Sequence, residues 1–231
     1  MKLLLTSAGI SNASIRNALV ELLGKPIEEA KAFFIPTAIY GINGGGEIIA
    51  QIICGALGDP FCNAGWKSLE LLELTALPTI KKEIWVTRLQ ETDALLVGGG
   101  DCQYLCYWMQ QSGLAHMLPS LLQKIVYVGL SAGSMIMTRF GTTYGNHILP
   151  GDSDKSLGFV DCAIHPHLDY EALFSNSLAN LEKLASTLPV PSYLIDDSTA
   201  LKVIDGSIEV ISEGRWKLIA TDEIRTNVPV L

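Results

Sequence analysis

Ser131 lies in Tyr127-Val128-Gly129-Leu130-Ser131-Ala132-Gly133-Ser134, a G-x-S-x-G pattern that follows an apolar run of strand length and opens a helix. Small residues on either side suit a tight strand-to-helix turn, because a side chain there would collide with the strand or the helix. Such a turn lifts the serine hydroxyl above the sheet at a helix N-terminus. It also directs the Ala132 N–H toward the oxyanion that forms when the serine attacks a carbonyl. Val97-Gly98-Gly99-Gly100-Asp101 offers a second donor, with Gly99 and Gly100 letting backbone N–H groups face a substrate oxygen. The same segment suits a plain turn with Asp101 as helix N-cap, and the two roles can coexist. The chemistry these residues suit is nucleophilic acyl transfer.

A serine needs a base, and the chain has four histidines. His167 closes the run Cys162-Ala163-Ile164-His165-Pro166-His167 and is expected at the carboxyl edge of the sheet, where open α/β sheets bind ligands. His165 falls on the opposite face of that strand and is expected to pack or cap. His116 sits in a helical segment and His147 in a glycine-rich loop. An acid must orient the imidazole, and several are available. Asp197 follows a short apolar strand toward the same edge, Asp152 and Asp154 lie in the loop after the elbow helix, and Asp169 is two residues beyond His167. With Asp197 the chain order is Ser, His, Asp, unlike the Ser, Asp, His order of α/β-hydrolases.

Positioning these groups requires a scaffold, and the alternation of apolar strand-length runs with helical periods predicts an α/β fold with a mostly parallel sheet covered on both faces. Strands are predicted over Lys2 to Thr6, Ala32 to Pro36, Leu69 to Leu74, Ala94 to Val97, Ile125 to Gly129 and Ala163 to His165. Helices are predicted over Ser14 to Leu23, Glu47 to Leu57, Thr79 to Glu91, Gln103 to Gln111 and Asp169 to Ser186. From Tyr193 onward short strands alternate with turns, and Asp205-Gly206 and Glu213-Gly214 are placed to close antiparallel hairpins at one sheet edge. Gly44-Gly45-Gly46 reads as a loop before a helix, since no Lys-Ser/Thr pair follows to make a phosphate cradle. With 231 residues and 48% apolar side chains, residues 1–231 are expected to form a single domain.

The formal charge of −8 and the absence of a Lys/Arg run argue against binding to nucleic acid or an anionic membrane. No apolar stretch approaches the roughly 20 residues of a membrane span, and the N-terminal apolar run is too short for a signal peptide. The expected location is the cytoplasm. Five cysteines without paired C-x-x-C spacing favour reduced, buried thiols over disulfides or structural zinc. Cys102 and Cys106 share one helical face without redox spacing.

In combination, GGGD at Gly98 to Asp101, GLSAGS at Gly129 to Ser134, PH at Pro166-His167 and IDDSTAL at Ile195 to Leu201 resemble the serine peptidase family that contains dipeptidase E and cyanophycinase. The resemblance implies a three-layer, flavodoxin-like sheet of the class I glutamine amidotransferase kind, with serine at the elbow in place of cysteine. It implies neither metal nor cofactor, a small peptide substrate, and room for a homodimer. The family's nucleophile falls on Ser131 and its histidine on His167. Its acid falls on Asp197, where relatives tend to carry Glu, or on the loop from Asn146 to Asp154, where Asp152 or Asp154 would serve after a small insertion. Dipeptidase E recognises an N-terminal aspartate through an arginine after the histidine, but Leu168 to Thr187 holds no arginine, only Lys183. Aspartyl specificity is therefore not expected. The other readings are hydrolysis of a non-peptide amide or ester, and a binding protein that retains the elbow.

Overall fold

In this computed structural model, residues 1–59, 61–141, 156–171 and 174–220 are described. The strands are β1 (Lys2–Thr6), β2 (Lys31–Ile35), β3 (Ser68–Leu71), β4 (Ala94–Val97), β5 (Val126–Leu130), β6 (Ala163–His165), β7 (Ser192–Ile195), β8 (Thr199–Ile204), β9 (Ser207–Ser212) and β10 (Trp216–Ile219). The helices are α1 (Ala13–Leu23), α2 (Gly45–Ile53), α3 (Lys82–Gln90), α4 (Cys102–Gln111), α5 (Leu114–Leu121), α6 (Ala132–Met135) and α7 (Leu178–Ala185). Seven strands form the main sheet in the order β3-β2-β4-β5-β1-β8-β9. The first five are parallel, while β8 lies antiparallel against β1 and β9 antiparallel against β8.

Side chains alternate across a strand, and in the central strands β1, β2, β4 and β5 both sets are buried. Leu3, Leu5, Phe33, Ile35, Leu95, Val97 and Tyr127 pack on one face against α3, α4 and α5 through Trp85, Leu89, Leu105, Met109, Leu114 and Leu118. On the other face, Leu4, Phe34, Leu96, Val126 and Val128 meet α1 and α2 through Ile15, Leu19, Leu22, Ile49 and Ile52. This is the expected three-layer α/β fold. Slipping a strand by one residue would exchange its two faces and misfit both helical layers, which fixes the register. Helix ends carry local signals as well. Asn12 accepts the Ile15 N–H to cap α1, Gly24 ends that helix in the left-handed region, and Asp101 accepts the Tyr104 N–H to cap α4. None of the helices in the described residues is long and apolar enough to cross a membrane.

Several predicted elements differ from those observed. Ala163–His165 is not part of the main sheet. It forms β6 of a separate three-stranded sheet, parallel to β7, whose other neighbour is the antiparallel β10. Asp205-Gly206 closes the β8–β9 hairpin, but Glu213-Gly214 does not close one, because the chain there leaves the main sheet and β10 pairs with β7. The long helix predicted from Asp169 shrinks to Leu178–Ala185. Asp169 has φ 55° and accepts the Leu178 N–H, so it caps α7 from a turn instead of starting a helix. The helix predicted from Thr79 begins at Lys82, after extended backbone at Ile80 and Lys81. Of the glycine triplet, only Gly44 lies outside α2; Gly45 and Gly46 are its first residues. Cys102, Cys106 and Cys162 are buried free thiols, whereas Cys54 is exposed and Cys62 half-buried.

The turn after β5 is packed against its neighbours without spare room. A Cβ on Gly133 would stand 2.1 Å from the Val97 carbonyl oxygen, and one on Gly129 would stand 2.6 Å from the Ser134 nitrogen. The Ser131 N–H and the Ser134 hydroxyl both donate to the Thr6 carbonyl, at 3.1 and 2.7 Å, while the Thr6 hydroxyl donates to the Gly129 carbonyl at 2.7 Å. The single helical turn α6 is thus held between β4 and β1.

Gly133→Ala is expected to cost at least about 2 kcal/mol in urea unfolding, because backbone on both sides must move. Gly46→Ala, where nothing lies within 4 Å of the added carbon, is expected to be neutral or mildly stabilising. Equal stability of the two variants would contradict the close approach at Val97. A second expectation concerns His165, which is 1% exposed and which burial holds neutral, its pKa pushed down to about 4. The unfolded chain binds that proton near pH 6.5 and the folded chain only near 4. Stability should therefore fall as the pH drops through this window, by at most about 1.4 kcal/mol per pH unit from this group. Urea midpoints between pH 7.5 and 4.5 should fall less steeply in His165→Gln than in the wild type.

Candidate active site

Three of the side chains singled out in the sequence meet at the carboxyl end of β1 and β5. Ser131 Oγ lies 2.9 Å from His167 Nε2, and His167 Nδ1 lies 2.7 Å from Asp197 Oδ1. Ser131 sits at φ 49°, ψ −110°, a backbone region that a residue with a Cβ rarely adopts and that costs about 1–3 kcal/mol. The strain is a consequence of reversing direction between β5 and α6 within one residue. It leaves the Ser131 side chain facing the imidazole instead of the core.

His167 is delivered by the small sheet. β6 ends at His165, Pro166 follows, and His167 turns at φ 59° with Leu168 N–H bonded to the Ile195 carbonyl at 3.0 Å. That bond ties the histidine loop to the end of β7, the strand that leads directly into Asp197. The route differs from the expected one, a strand of the main sheet, but its end point is the same carboxyl edge. The hydrogen bond from His167 holds the Asp197 carboxyl below the ordinary carboxylate range, with the Ser7 hydroxyl adding to it, against the upward push of partial burial. An ionised Asp197 only accepts hydrogen bonds, so Nδ1 carries the ring proton and Nε2 is left to accept the Ser131 hydroxyl.

Adjacent aspartates take different parts. Asp196 accepts from Ser198 N, Thr199 Oγ1 and Arg215 N, closing the turn between β7 and β8 and fastening the start of β10. Asp197 faces the histidine. Asp169, the acid nearest His167 in sequence, turns away toward Leu178 N and an ion pair with Arg215 at 3.4 Å. Asp152 and Asp154 lie outside the described residues, as do Asn146 and His147. His165 is buried and His116 exposed, as a packing and a surface residue respectively.

Gly99 lies against the elbow: a Cβ there would stand 3.2 Å from Ser131 Cβ and 2.8 Å from Leu130 Cδ2. Gly100 adopts φ 135°, and a Cβ there would stand 2.3 Å from the Ala38 carbonyl oxygen. Asp101 is the N-cap of α4, the alternative foreseen for this segment. The N–H groups of Gly99 and Gly100 donate to no backbone carbonyl among the described residues, and Ala132 is the first residue of α6, at the helix end where N–H groups lack intrahelical partners. Arg215 reaches the segment after His167 through its ion pair with Asp169. It lines a cavity of about 390 Å³ with Leu168, Asp169, Trp216 and Lys217, but its guanidinium is paired with Asp169. Burial pushes the Cys106 thiol up to about 12 and the Cys102 thiol higher still, which leaves that pair unreactive.

The sequence reading missed Ser7. Its hydroxyl lies 2.7 Å from Asp197 Oδ1 and receives the His167 N–H at 2.8 Å. The signal available was position alone, the first residue past the carboxyl end of a central strand. Tyr170 was also missed; it is half exposed, with its ring centroid 6.2 Å from that of His167.

Comparison with known proteins bears on this arrangement. The chain is 30% identical over 124 residues to the uncharacterized peptidase YgaJ of Bacillus subtilis (strain 168), a match spanning 53% of this chain and 52% of that protein, so about half the length of each. Among solved structures, a protein assigned as peptidase E from Listeria monocytogenes EGD-e superposes with a TM-score of 0.66 at 16% identity, covering 92% of this chain and 98% of that one. A peptidase from an acI-B1 Actinobacterium superposes with a TM-score of 0.63 at 17% identity, covering 96% and 94%. At these identities the two structures speak for the fold. The sequence pattern of peptidase family S51 matches residues 3–211, which takes in the elbow, the histidine loop and the Asp197 turn, and the chain belongs to that family.

Proposed function

We propose that this protein is a serine peptidase that hydrolyses short peptides through an acyl-enzyme on Ser131. The observation that carries the reading is the unbroken relay from Ser131 Oγ to His167 to Asp197, at 2.9 and 2.7 Å. Ser131 Oγ attacks the peptide carbonyl carbon as Nε2 of His167 takes the hydroxyl proton. The imidazolium so formed is stabilised by the ionised Asp197. Negative charge developing on the carbonyl oxygen is held by N–H groups of Gly99 and Ala132, with Gly100 shaping the loop. The tetrahedral intermediate collapses as His167 gives the proton to the departing amine, leaving the acyl group on Ser131. Water, deprotonated by the same nitrogen, then attacks the ester carbonyl and releases the acid with Ser131 restored.

Membership of family S51 supports a peptide as the substrate, and Ser131 at a strained elbow is the form that family-wide chemistry would take here. Among the described residues the one partner the Arg215 side chain shows is Asp169 of the protein itself, so this arginine lends no support to an aspartyl specificity.

Ser131→Ala is expected to lower kcat/KM for a cleaved dipeptide by on the order of 10⁴-fold or more, and Asp197→Asn by on the order of 10³- to 10⁴-fold, with folding retained. Wild-type protein treated with a small fluorophosphonate should carry the label on Ser131 in peptide maps, and His167→Ala should not. Dipeptide hydrolysis by Ser131→Ala at the wild-type rate would refute the assignment. Turnover of simple esters with no cleavage across a dipeptide panel would instead assign a non-peptide substrate.

A further inference from the structure

We propose that Ser7 is a positioning residue that locks His167 and Asp197 into one unit, an inference that rests on the catalytic reading above. Ser7 is fully buried immediately after β1, and its N–H reaches the Thr199 carbonyl at the start of β8, 3.3 Å away. Its hydroxyl oxygen accepts the backbone N–H of His167 at 2.8 Å. A hydroxyl has a single proton to give, and the acceptor within reach is Asp197 Oδ1 at 2.7 Å. The same carboxylate oxygen receives Nδ1–H of His167. The bonds therefore close a ring: Ser7 hydroxyl to Asp197, Asp197 to the imidazole, and the His167 main chain back to Ser7.

This ring constrains the histidine at both ends. Asp197 holds the imidazole, and Ser7 holds the backbone from which it projects, so swinging the ring away from Ser131 breaks the bond to Asp197 and shifting the loop that carries it breaks the bond to Ser7. The backbone restraint matters because His167 sits at φ 59°. The neighbouring residue does a matching task on the opposite side of the strand. Thr6 offers its carbonyl to Ser131 N–H and Ser134 Oγ, so the elbow hangs from the same strand end. The Thr6 carbonyl bonds to the elbow and the N–H of the next residue, Ser7, bonds to Thr199 at the start of β8, so one peptide at the end of β1 gives the nucleophile and the base–acid pair a common reference point.

The test compares Ser7→Ala, which lacks the hydroxyl, with Ser7→Thr, which keeps it, and Ser7→Cys, which keeps the volume but donates weakly. Two readouts are taken: the rate of fluorophosphonate labelling at Ser131, and the ¹⁵N shifts of the His167 ring, which report its tautomer and hydrogen bonding. Ser7→Ala should label on the order of 10- to 100-fold more slowly, with ring shifts moving toward a mixture of tautomers, and Ser7→Thr should recover both. A residue that served stability alone would lower the melting temperature and leave the ring shifts in place. Ring shifts unchanged in Ser7→Ala, or labelling at the wild-type rate, would overturn the proposal. Should Ser7→Ala not fold, Ser7→Cys carries the same two readouts with the same expected directions. Wild-type protein that fails to label would remove the catalytic reading, and the ring shifts would then decide the hold of Ser7 on the pair by themselves.

Discussion

The reversal of the chain at Ser131 is the constraint on which the remaining geometry depends. Its positive φ is tolerated because the flanking glycines let backbone pass at distances that any side chain would block, with Gly133 against Val97 and Gly129 against Gly133 and Ser134. Those contacts require β4 on one side of β5 and β1 on the other, which is the order β4-β5-β1 of the main sheet. Moving either neighbour would remove the carbonyls and hydroxyls that hold the turn. The sheet order and the strained residue are thus two descriptions of one packing problem, and the buried faces of the strands supply the stabilisation that offsets the strain.

What closes the site is supplied from outside the parallel sheet. β8 runs antiparallel beside β1, and the turn leading into it carries Asp197 to the carboxyl end of β1. β6 and β7 run side by side in a second sheet, and the bond from Leu168 N to the Ile195 carbonyl keeps the histidine loop in step with the Asp197 turn. Asp196 fastens the same turn to Arg215 at the start of β10. A short second sheet, tied to the main core through Ile164 and Ile195, is therefore the part that sets the separation of base and acid.

The parallel strands were readable from the sequence because their apolar runs are bounded by turn residues and buried on both faces, as in Lys2 to Thr6 and Ala94 to Val97. Ser131 and His167 were readable for a related reason: each follows an apolar strand at a position where glycine or proline marks a sharp turn. The partition into two sheets was not. A three-residue strand such as Ala163, Ile164 and His165 fits either sheet equally, and pairing partners are decided by tertiary contacts that periodicity does not record. The Asp169 to Ser186 helix failed for the opposite reason, since a helical period there was real but a left-handed turn at Asp169 and its cap on Leu178 delay the start. Ser7 carried no pattern of its own. Its place in the site follows from strand order, which brings β1 between the elbow and the Asp197 turn.

Four residues other than glycine adopt positive φ among the described residues: Ser131, His167, Asp169 and Asp205. The two aspartates belong to turns, where this side chain tolerates the left-handed region and bonds locally. His167 is a milder case than Ser131, since histidine is also enriched in that region, and its main chain is bonded on both sides, its N–H to Ser7 and its carbonyl from Tyr170 N at 3.1 Å. Ser131 is held differently, by carbonyl acceptance of its N–H and by absent side chains around it. The two strained positions therefore depend on separate parts of the structure, one on glycine packing within the main sheet and the other on a hydroxyl and a loop. The residues that join them are Thr6, whose carbonyl holds the elbow, and Ser7, whose hydroxyl holds the His167 loop, so the alignment of serine with histidine rests on the end of a single central strand.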